Sequence, residues 1–203
     1  MIPKSSLEGI DYYCRDKYGE TERIVGIMLA RYSLGSVKDI IRENYNYWHE
    51  RSGKDFDVFW LGYEKSEEQL DSGDGYWVKV EGLPSVYYSD ALFSEGIKQL
   101  EREESIEYTD VGCTLLLLNY NGHEIDYSEN VTNNLVTLNR DEVLREFVEY
   151  AINYSPDVQT INQLRKIIPK RVLVPKRDYS SIISFFLTII QCVEKIIVWS
   201  TSR

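Results

Sequence analysis

Cysteine and positive charge are both scarce in this sequence, and each shortage excludes a class of function. The 203 residues include three cysteines, Cys14, Cys113 and Cys192, which are too far apart for a disulfide framework, a zinc ribbon or a paired redox motif. Acidic side chains outnumber basic ones by 33 to 23, which gives a net charge of −10. Nonspecific nucleic-acid binding needs clustered cations, so we expect no nucleic-acid partner.

Recognisable catalytic and ligand-binding motifs are also missing. The sequence has two histidines and contains no H-x-x-x-H pair, no G-x-S-x-G elbow and no glycine-rich phosphate loop. We therefore predict no metal, no cofactor and no identifiable catalytic residue. The first eight residues lack the apolar core of a secretory signal, so we expect a reducing, cytoplasmic location.

Sequence patterns predict a β-α-β unit near the start of the chain. The apolar run Arg23–Tyr32 is rich in β-branched residues, which is typical of a strand buried on both faces. Ser36 is a good helix N-cap, and Gly53 is placed to end that helix. Residues Asp55–Tyr63 follow as a second strand. The helix has an apolar stripe of Val37, Ile40, Ile41, Tyr45 and Trp48.

An insertion and a second helix are predicted next. Residues 64–82 are polar and rich in turn formers, so we expect a surface insertion with an extra edge strand at Tyr76–Val80. Residues Asp90–Glu101 carry their apolar side chains on one helical face, which predicts a helix.

The following segment predicts an antiparallel hairpin and a further helix. The apolar strand Cys113–Leu118 precedes the turn signal Asn121–Gly122, and Asn134–Leu138 is its expected partner. A helix begins at Asn139 or Asp141, and its predicted inner face consists of Val143, Leu144, Phe147, Val148, Ala151 and Ile152. Over residues 23–154 the order is β-α-β-α-β-β-α, which predicts the α/β class, with helices on both faces of a mixed sheet.

The segment Gly112–Glu124 resembles part of the thioredoxin family. It reads Gly-Cys-Thr-Leu-Leu-Leu-Leu-Asn-Tyr-Asn-Gly-His-Glu, and the family segment begins with a cis-proline, runs Thr-Leu-Leu-Leu and ends in a turn with Asn-Gly-Glu. In this resemblance Cys113 takes the proline position. The turn Ser33-Leu34-Gly35-Ser36 takes the place of the Cys-x-x-Cys motif of the family.

The resemblance implies a thioredoxin-like fold without dithiol chemistry. Dithiol exchange needs one thiolate to attack and a second sulfur to resolve the mixed disulfide, whereas Ser33 and Ser36 supply hydroxyls. We therefore expect a redox-silent module that binds another protein or a second copy of itself. A single-cysteine thiol enzyme centred on Cys113 is an alternative, and a membrane-tethered module is another.

Five residues are candidates for a binding site: Ser33, Ser36, Cys113, Tyr76 and Trp77. A helix N-terminus beside Cys113 would favour its thiolate, and the alternative is a small apolar residue that opens a buried strand. Ser33 and Ser36 could bind an anion through free N–H groups, or they are a turn residue and a helix cap. Tyr76 and Trp77 lie in the polar insertion, which favours a surface role in protein recognition.

An acid–base site is a weaker hypothesis. Asp55 and Asp57 alternate along a predicted strand and share a face, so they could pair with His49. The alternative is a polar rim where the helix passes into the strand.

The two ends of the chain are expected to lie outside the 23–154 core. Residues 1–22 are predicted to be a helical extension, and residues 155–203 a basic connector followed by an apolar helix over 181–199. A membrane span needs about 20 apolar residues, and Glu194 and Lys195 interrupt this run. Because its polar residues recur at helical spacing, we favour a buried or dimer-forming helix over a membrane anchor.

Overall fold

The computed structural model describes residues 2–51, 56–65, 75–79, 84–104, 106, 108, 112–132, 140–158 and 160–169. All of them belong to one compact unit, Met1–Leu173. The strands within the described residues are β1 (Ile2–Lys4), β2 (Arg23–Leu29), β3 (Val58–Leu61), β4 (Tyr63–Glu64), β5 (Gly75–Val78), β6 (Val86–Ser89), β7 (Thr114–Tyr120) and β8 (Ile125–Thr132). The α-helices are α1 (Leu7–Tyr18), α2 (Gly35–Arg51), α3 (Asp90–Glu104), α4 (Arg140–Tyr154) and α5 (Ile161–Ile167).

A mixed sheet of five strands, in the order β1-β3-β2-β7-β8, forms the centre of this unit. β3 runs parallel to both β1 and β2, whereas β7 runs antiparallel to β2 and β8 antiparallel to β7. Parallel neighbours cannot be joined by a tight hairpin, and α1 and α2 lie in the crossover connections. The predicted α/β class with a mixed sheet is confirmed.

Helices cover both faces of the sheet, as predicted. Successive side chains of β3 point to opposite faces, and Phe59 contacts Tyr13 of α1, with the ring centroids 5.4 Å apart. Trp60 points the other way and contacts Tyr45 of α2, with the centroids 5.1 Å apart. α3 packs against Leu61 on the α1 face, and α4 makes side-chain hydrogen bonds to α2 on the opposite face.

The hairpin at the other side of the sheet is confirmed, but its second strand was predicted at the wrong place. Gly122 has a φ of 90°, and the Asn121 N–H donates to the Glu124 carbonyl, so the chain turns back at once. The partner of β7 is β8, which begins at Ile125. β8 is an edge strand with many polar residues, so it lacks the apolar run that marks a buried strand. Residues 134–138 lie outside the described residues.

The N-terminal residues are not an extension of the core. β1 is an edge strand of the main sheet, in register with β3 from Ile2 opposite Phe59 to Lys4 opposite Leu61. The predicted helix is present as α1, and it buries Leu7, Ile10 and Cys14 against the core. A strand of three residues is too short to show a hydrophobic pattern, which is why the sequence did not reveal it.

A second, three-stranded antiparallel sheet has the order β4-β6-β5, and of its strands only β5 lies wholly within the predicted insertion, residues 64–82. β5 corresponds to the predicted edge strand Tyr76–Val80, but it begins one residue earlier and ends two residues earlier. β6 lies beyond the predicted limit of residue 82 and leads directly into α3.

Two predicted boundaries also change. α2 begins at Gly35, so Ser36 lies within its first turn and is not the N-cap. On the C-terminal side, α5 belongs to the core, because Ile161, Leu164 and Ile168 are buried there. Gly53, Asp55 and residues 181–199 fall outside the described part of the chain. None of the helices described is long and apolar enough to cross a bilayer.

Candidate functional site

The candidate site lies where the carboxyl ends of β2 and β3 meet the second sheet. β2 ends at Leu29 and leads through the turn Ser33–Ser36 into α2. Leu29 pairs with Thr114 at the start of β7, so Cys113 comes just before the strand at this same end of the sheet. β3 also ends here and continues through Gly62 into β4. The fold therefore brings the predicted turn, Cys113 and the insertion to one end of the sheet.

Asp90, the first residue of α3, is the polar centre of this region. Its Oδ1 accepts hydrogen bonds from the hydroxyls of Ser33 at 2.9 Å and of Tyr88 at 2.7 Å. The Arg31 guanidinium lies 3.9 Å from the same oxygen. Burial and the hydrogen bond to Asp90 both raise the pKa of Tyr88, so its hydroxyl stays protonated as a donor. The Ser33 hydroxyl is therefore engaged in a structural contact that ties the turn to α3.

Beside Asp90 lies a group of four tyrosines, Tyr32, Tyr63, Tyr76 and Tyr88, which we call the tyrosine cluster. Tyr88 is at its centre, with ring centroids 4.9 Å from Tyr63, 6.1 Å from Tyr32 and 6.5 Å from Tyr76. Tyr63 is fully buried and donates to the Ala30 carbonyl at 2.8 Å, and burial raises its pKa well above the usual value. The tyrosine cluster therefore connects Ala30, just after β2, to the second sheet.

The exposed part of the cluster lies next to the predicted turn. Tyr76 is 43% exposed, and its ring centroid is 6.4 Å from that of Tyr32, the residue before Ser33. The Lys38 ammonium of α2 lies 5.3 Å from the centroid of Tyr32 and 5.6 Å from that of Tyr76, within cation–π range. Ser36 is exposed in the first turn of the same helix.

Trp77 points to the opposite face of β5 from Tyr76, because successive side chains of a strand alternate. It is 44% exposed, and its ring stands edge-on to Tyr87 with the centroids 5.3 Å apart. The structure therefore brings Ser33, Ser36 and Tyr76 to one surface and places Trp77 behind it on the same strand. The sequence did not identify Asp90, Tyr88 and Lys38 as site residues. Tyr87–Tyr88 is visible in the sequence as an aromatic pair, but no sequence pattern relates Asp90 to Ser33.

Cys113 lies beneath this surface. Its side chain is fully buried, and the Cys113 thiol is close enough to Tyr63 to contribute to the raised pKa of that tyrosine. Among the described residues no peptide bond is cis, so Cys113 does not reproduce the cis geometry of the family's proline. A fully buried thiol fits the packing interpretation better than the nucleophile interpretation.

We expect the buried cysteines to be unreactive in the folded protein. In a Cys192→Ser variant, Cys14 and Cys113 should not react with dithionitrobenzoate at pH 8 over hours, because both are buried. Burial raises the pKa of the Cys14 thiol to about 12, so its thiolate is also scarce. The same sample in guanidinium should release both thiols. A fast reaction of the folded protein, mapped to Cys113 by mass spectrometry, would show that the thiol is accessible after all.

The acid–base hypothesis does not match the structure. Asp57 is at the other end of β3, where its Oδ2 accepts hydrogen bonds from Lys17 Nζ at 2.6 Å and from the Tyr18 hydroxyl. The His49 ring stacks on Tyr45 instead, with the centroids 6.1 Å apart, and burial lowers the pKa of His49. Asp57 therefore takes part in a partly buried ion pair with Lys17 of α1.

Within the described ranges, no group of three or more His, Cys, Asp or Glu side chains is arranged to hold a metal ion. Comparisons with protein-family models, with curated proteins and with solved structures found no match for this chain. A fold by itself does not determine a function, so the residues of the site carry the functional information.

Proposed function

We propose that this protein is a redox-silent, thioredoxin-like module that binds other proteins at the carboxyl end of its parallel strands. The fold part of the proposal is supported by the sheet, which has the β2-α2-β3 parallel unit and the antiparallel β7-β8 hairpin beside it. It is also supported by the position of Ser33–Ser36 between β2 and α2, where the resemblance puts the redox turn.

Restoring two thiols tests this part of the proposal directly. The double variant Ser33→Cys/Ser36→Cys has the spacing of the family motif at the start of a helix. We expect it to form an intramolecular disulfide with a reduction potential between about −270 and −120 mV, the range of thioredoxin-like oxidoreductases. The measurement is equilibration of the double variant with glutathione buffers, in a background where Cys192 is serine.

The single variants Ser33→Cys and Ser36→Cys are the matched controls, since each has only one thiol at the turn and the remaining thiols of Cys14 and Cys113 are buried. If the double variant stays folded but does not oxidise to a monomeric disulfide, residues 33 and 36 do not have the geometry of the thioredoxin redox turn.

The binding part of the proposal depends mainly on the exposed aromatic pair, Tyr76 and Trp77, 43% and 44% exposed. Both side chains are in contact with well-buried rings, Tyr76 with Tyr88 and Trp77 with Tyr87. Aromatic side chains held in place before binding lose little conformational entropy in a complex, and they dominate the energy of many protein interfaces. The polar contacts around Asp90 hold the site together and present no nucleophile, which favours binding over catalysis.

Site-specific crosslinking tests the binding proposal. A photoreactive benzoylphenylalanine at position 77, in the intact protein inside its host cells, is expected to give a discrete adduct with a partner. The same residue at position 12 is the control, because Tyr12 is 69% exposed on α1, far along the chain from β5. Equal adducts at both positions, or none at position 77, would contradict a binding surface at β5. An adduct between two copies of the chain would identify the partner as self.

A further inference from the structure

The turn between β7 and β8 contains the sequence Asn121-Gly122, a dipeptide that occurs once in the chain. Asn121 is exposed, and a glycine after it leaves the next backbone nitrogen without a side chain to shield it. The side-chain amide of an asparagine and the backbone nitrogen that follows it are the two groups that a cyclic imide joins. The pair is therefore a candidate site for a spontaneous covalent modification, the loss of the Asn121 amide as ammonia.

The Asn121 side chain is folded back over the turn. Its Oδ1 accepts hydrogen bonds from the backbone N–H groups of His123 at 2.9 Å and of Glu124 at 3.0 Å. These two donors come one and two residues after Gly122, so the side-chain amide is held against the backbone around Gly122 instead of extending into solvent. Holding two reacting groups in one conformation lowers the entropic part of the barrier between them.

The same two N–H groups can stabilise the negative charge that develops during the attack. When a nucleophile adds to an amide carbon, charge builds up on the amide oxygen, and two backbone N–H donors at 2.9 and 3.0 Å from that oxygen resemble an oxyanion hole. The Gly122 N–H, by contrast, makes no hydrogen bond within the described part of the chain. The turn therefore polarises the amide carbon and leaves the attacking nitrogen without an acceptor.

We propose that Asn121 deamidates through a cyclic imide in the folded protein, faster than any other described asparagine. Hydroxide removes the Gly122 N–H proton, the nitrogen attacks Asn121 Cγ, and the Cγ–Nδ2 bond breaks as the amide nitrogen takes a proton from water and leaves as ammonia. A second water molecule opens the imide, at Cγ to give aspartate or at the main-chain carbonyl to give isoaspartate. The net change is one water consumed and one ammonia released. This inference is independent of the proposed binding function.

The turn accommodates the two products differently. Aspartate keeps an acceptor oxygen for the N–H groups of His123 and Glu124, and its negative charge strengthens those hydrogen bonds. Isoaspartate adds a methylene to the main chain beside Gly122, where a Cβ would already lie 2.7 Å from the Glu20 carbonyl oxygen. It also lengthens the path between the Asn121 N–H and its acceptor, the Glu124 carbonyl. We therefore expect the isoaspartate form to be the less stable of the two.

Parallel incubation of the full folded chain and of a blocked peptide covering residues 117–126, at pH 8 and 37 °C, tests the proposal. Peptide mapping by mass spectrometry follows the conversion of the Asn121 amide to an acid, and released ammonia is assayed in the same samples. We expect the folded rate to stay within about tenfold of the peptide rate, because the two N–H donors offset the constraint of the turn. Asn46 and Asn153, which are exposed in α2 and α4, are internal controls and should remain intact.

Two variants complete the test. Asn121→Gln moves the amide one carbon further from the backbone nitrogen, so a larger ring would be needed, and this variant should release no ammonia from the turn. Asn121→Asp is the chromatographic standard for one product, and it should unfold at the same denaturant concentration as the wild type or at a higher one. A folded rate lower than the peptide rate by more than about tenfold, or loss of the amide from Asn46 or Asn153 before Asn121, would overturn the inference.

Discussion

Replacement of Gly62 by alanine is expected to destabilise the protein by about 3 kcal/mol or more, which lowers the melting temperature of a chain of this length by about 10 °C. Gly62 has a φ of 82°, a conformation that costs an L-residue about 1–2 kcal/mol. A Cβ there would also lie 2.7 Å from Phe93 Cβ and 2.9 Å from Phe93 Cα, the latter a backbone atom of α3. The backbone strain and the steric clash with Phe93 both contribute to the expected loss of stability.

The position of Gly62 makes relief of this clash difficult. Its N–H donates to the Lys4 carbonyl at 2.9 Å, and its carbonyl accepts from the Ser89 N–H at 3.0 Å. It therefore connects β1 of the main sheet to the residue that precedes α3. Moving α3 away would also disturb the contacts of Asp90 with the turn before α2.

Gly19 provides the matched control for this experiment. It also has a positive φ, 56°, but a Cβ there would have no atom within 4 Å. Gly19→Ala is expected to cost about 2 kcal/mol, from backbone strain alone, because a φ of 56° with a ψ of −126° lies outside the left-handed helical region. The measurement is chemical and thermal unfolding of both variants. Equal losses for the two would show that α3 can yield at Phe93, and the close packing at Gly62 would then not be a constraint.

Replacement of Lys17 by methionine is expected to destabilise the protein by about 3 kcal/mol, because it leaves a buried carboxylate without its counter-charge. The Asp57 side chain is 1% exposed and that of Lys17 is 34% exposed, with 2.6 Å between Lys17 Nζ and Asp57 Oδ2. The Tyr18 hydroxyl donates to the same oxygen, while Oδ1 is buried and has no hydrogen-bond partner among the described residues. Losing the ammonium is therefore costly for Asp57.

A second change should restore much of this loss. In Lys17→Met/Asp57→Asn the buried group is a neutral amide, so we expect the double variant to be more stable than Lys17→Met alone, with a coupling of about 2 kcal/mol. Arg15→Met is the matched control, since Arg15 is an exposed cation in the same helix. A Lys17→Met variant as stable as Arg15→Met would mean that water reaches Asp57.

The pH of the measurement follows from the direction of the lysine shift. Burial disfavours the charged form of Lys17, but the hydrogen bond and the negative charge of Asp57 outweigh it, so the pKa of Lys17 is raised. A raised pKa gives stability that is fully present below the unfolded value of 10.5 and is lost as the pH rises through the folded value. Unfolding at pH 7 therefore measures the whole contribution of the pair.

The element order of the core followed from the sequence, because its signals are strong and local. Val37, Ile41 and Trp48 repeat at helical spacing, and Leu115–Leu118 is a continuous apolar run, so α2 and β7 could be located within a few residues. β1 and β8 were missed or misplaced for a physical reason. Edge strands bury one face at most, so short or polar sequences serve equally well there.

The candidate site shows the same division between local and distant information. The sequence pointed to Ser33, Ser36 and Tyr76, since a turn before a helix and an aromatic residue in a polar segment are local features. The contact of Ser33 with Asp90 joins residues 57 positions apart, and the cation–π contact of Lys38 with Tyr76 depends on how β5 packs. Neither contact produces a periodic pattern in the sequence from which it could be predicted.

By itself, the sequence determined the α/β class, the absence of a cysteine pair at the turn before α2 and the acidic character of the chain. Hydrophobic periodicity and residue type are sufficient to determine these properties, because both can be read from neighbouring residues in the chain. Tertiary structure alone decided that Cys113 is buried, that Asp57 pairs with Lys17 and that Tyr76 and Trp77 lie on an edge strand. Burial and edge position depend on which segments meet across the fold.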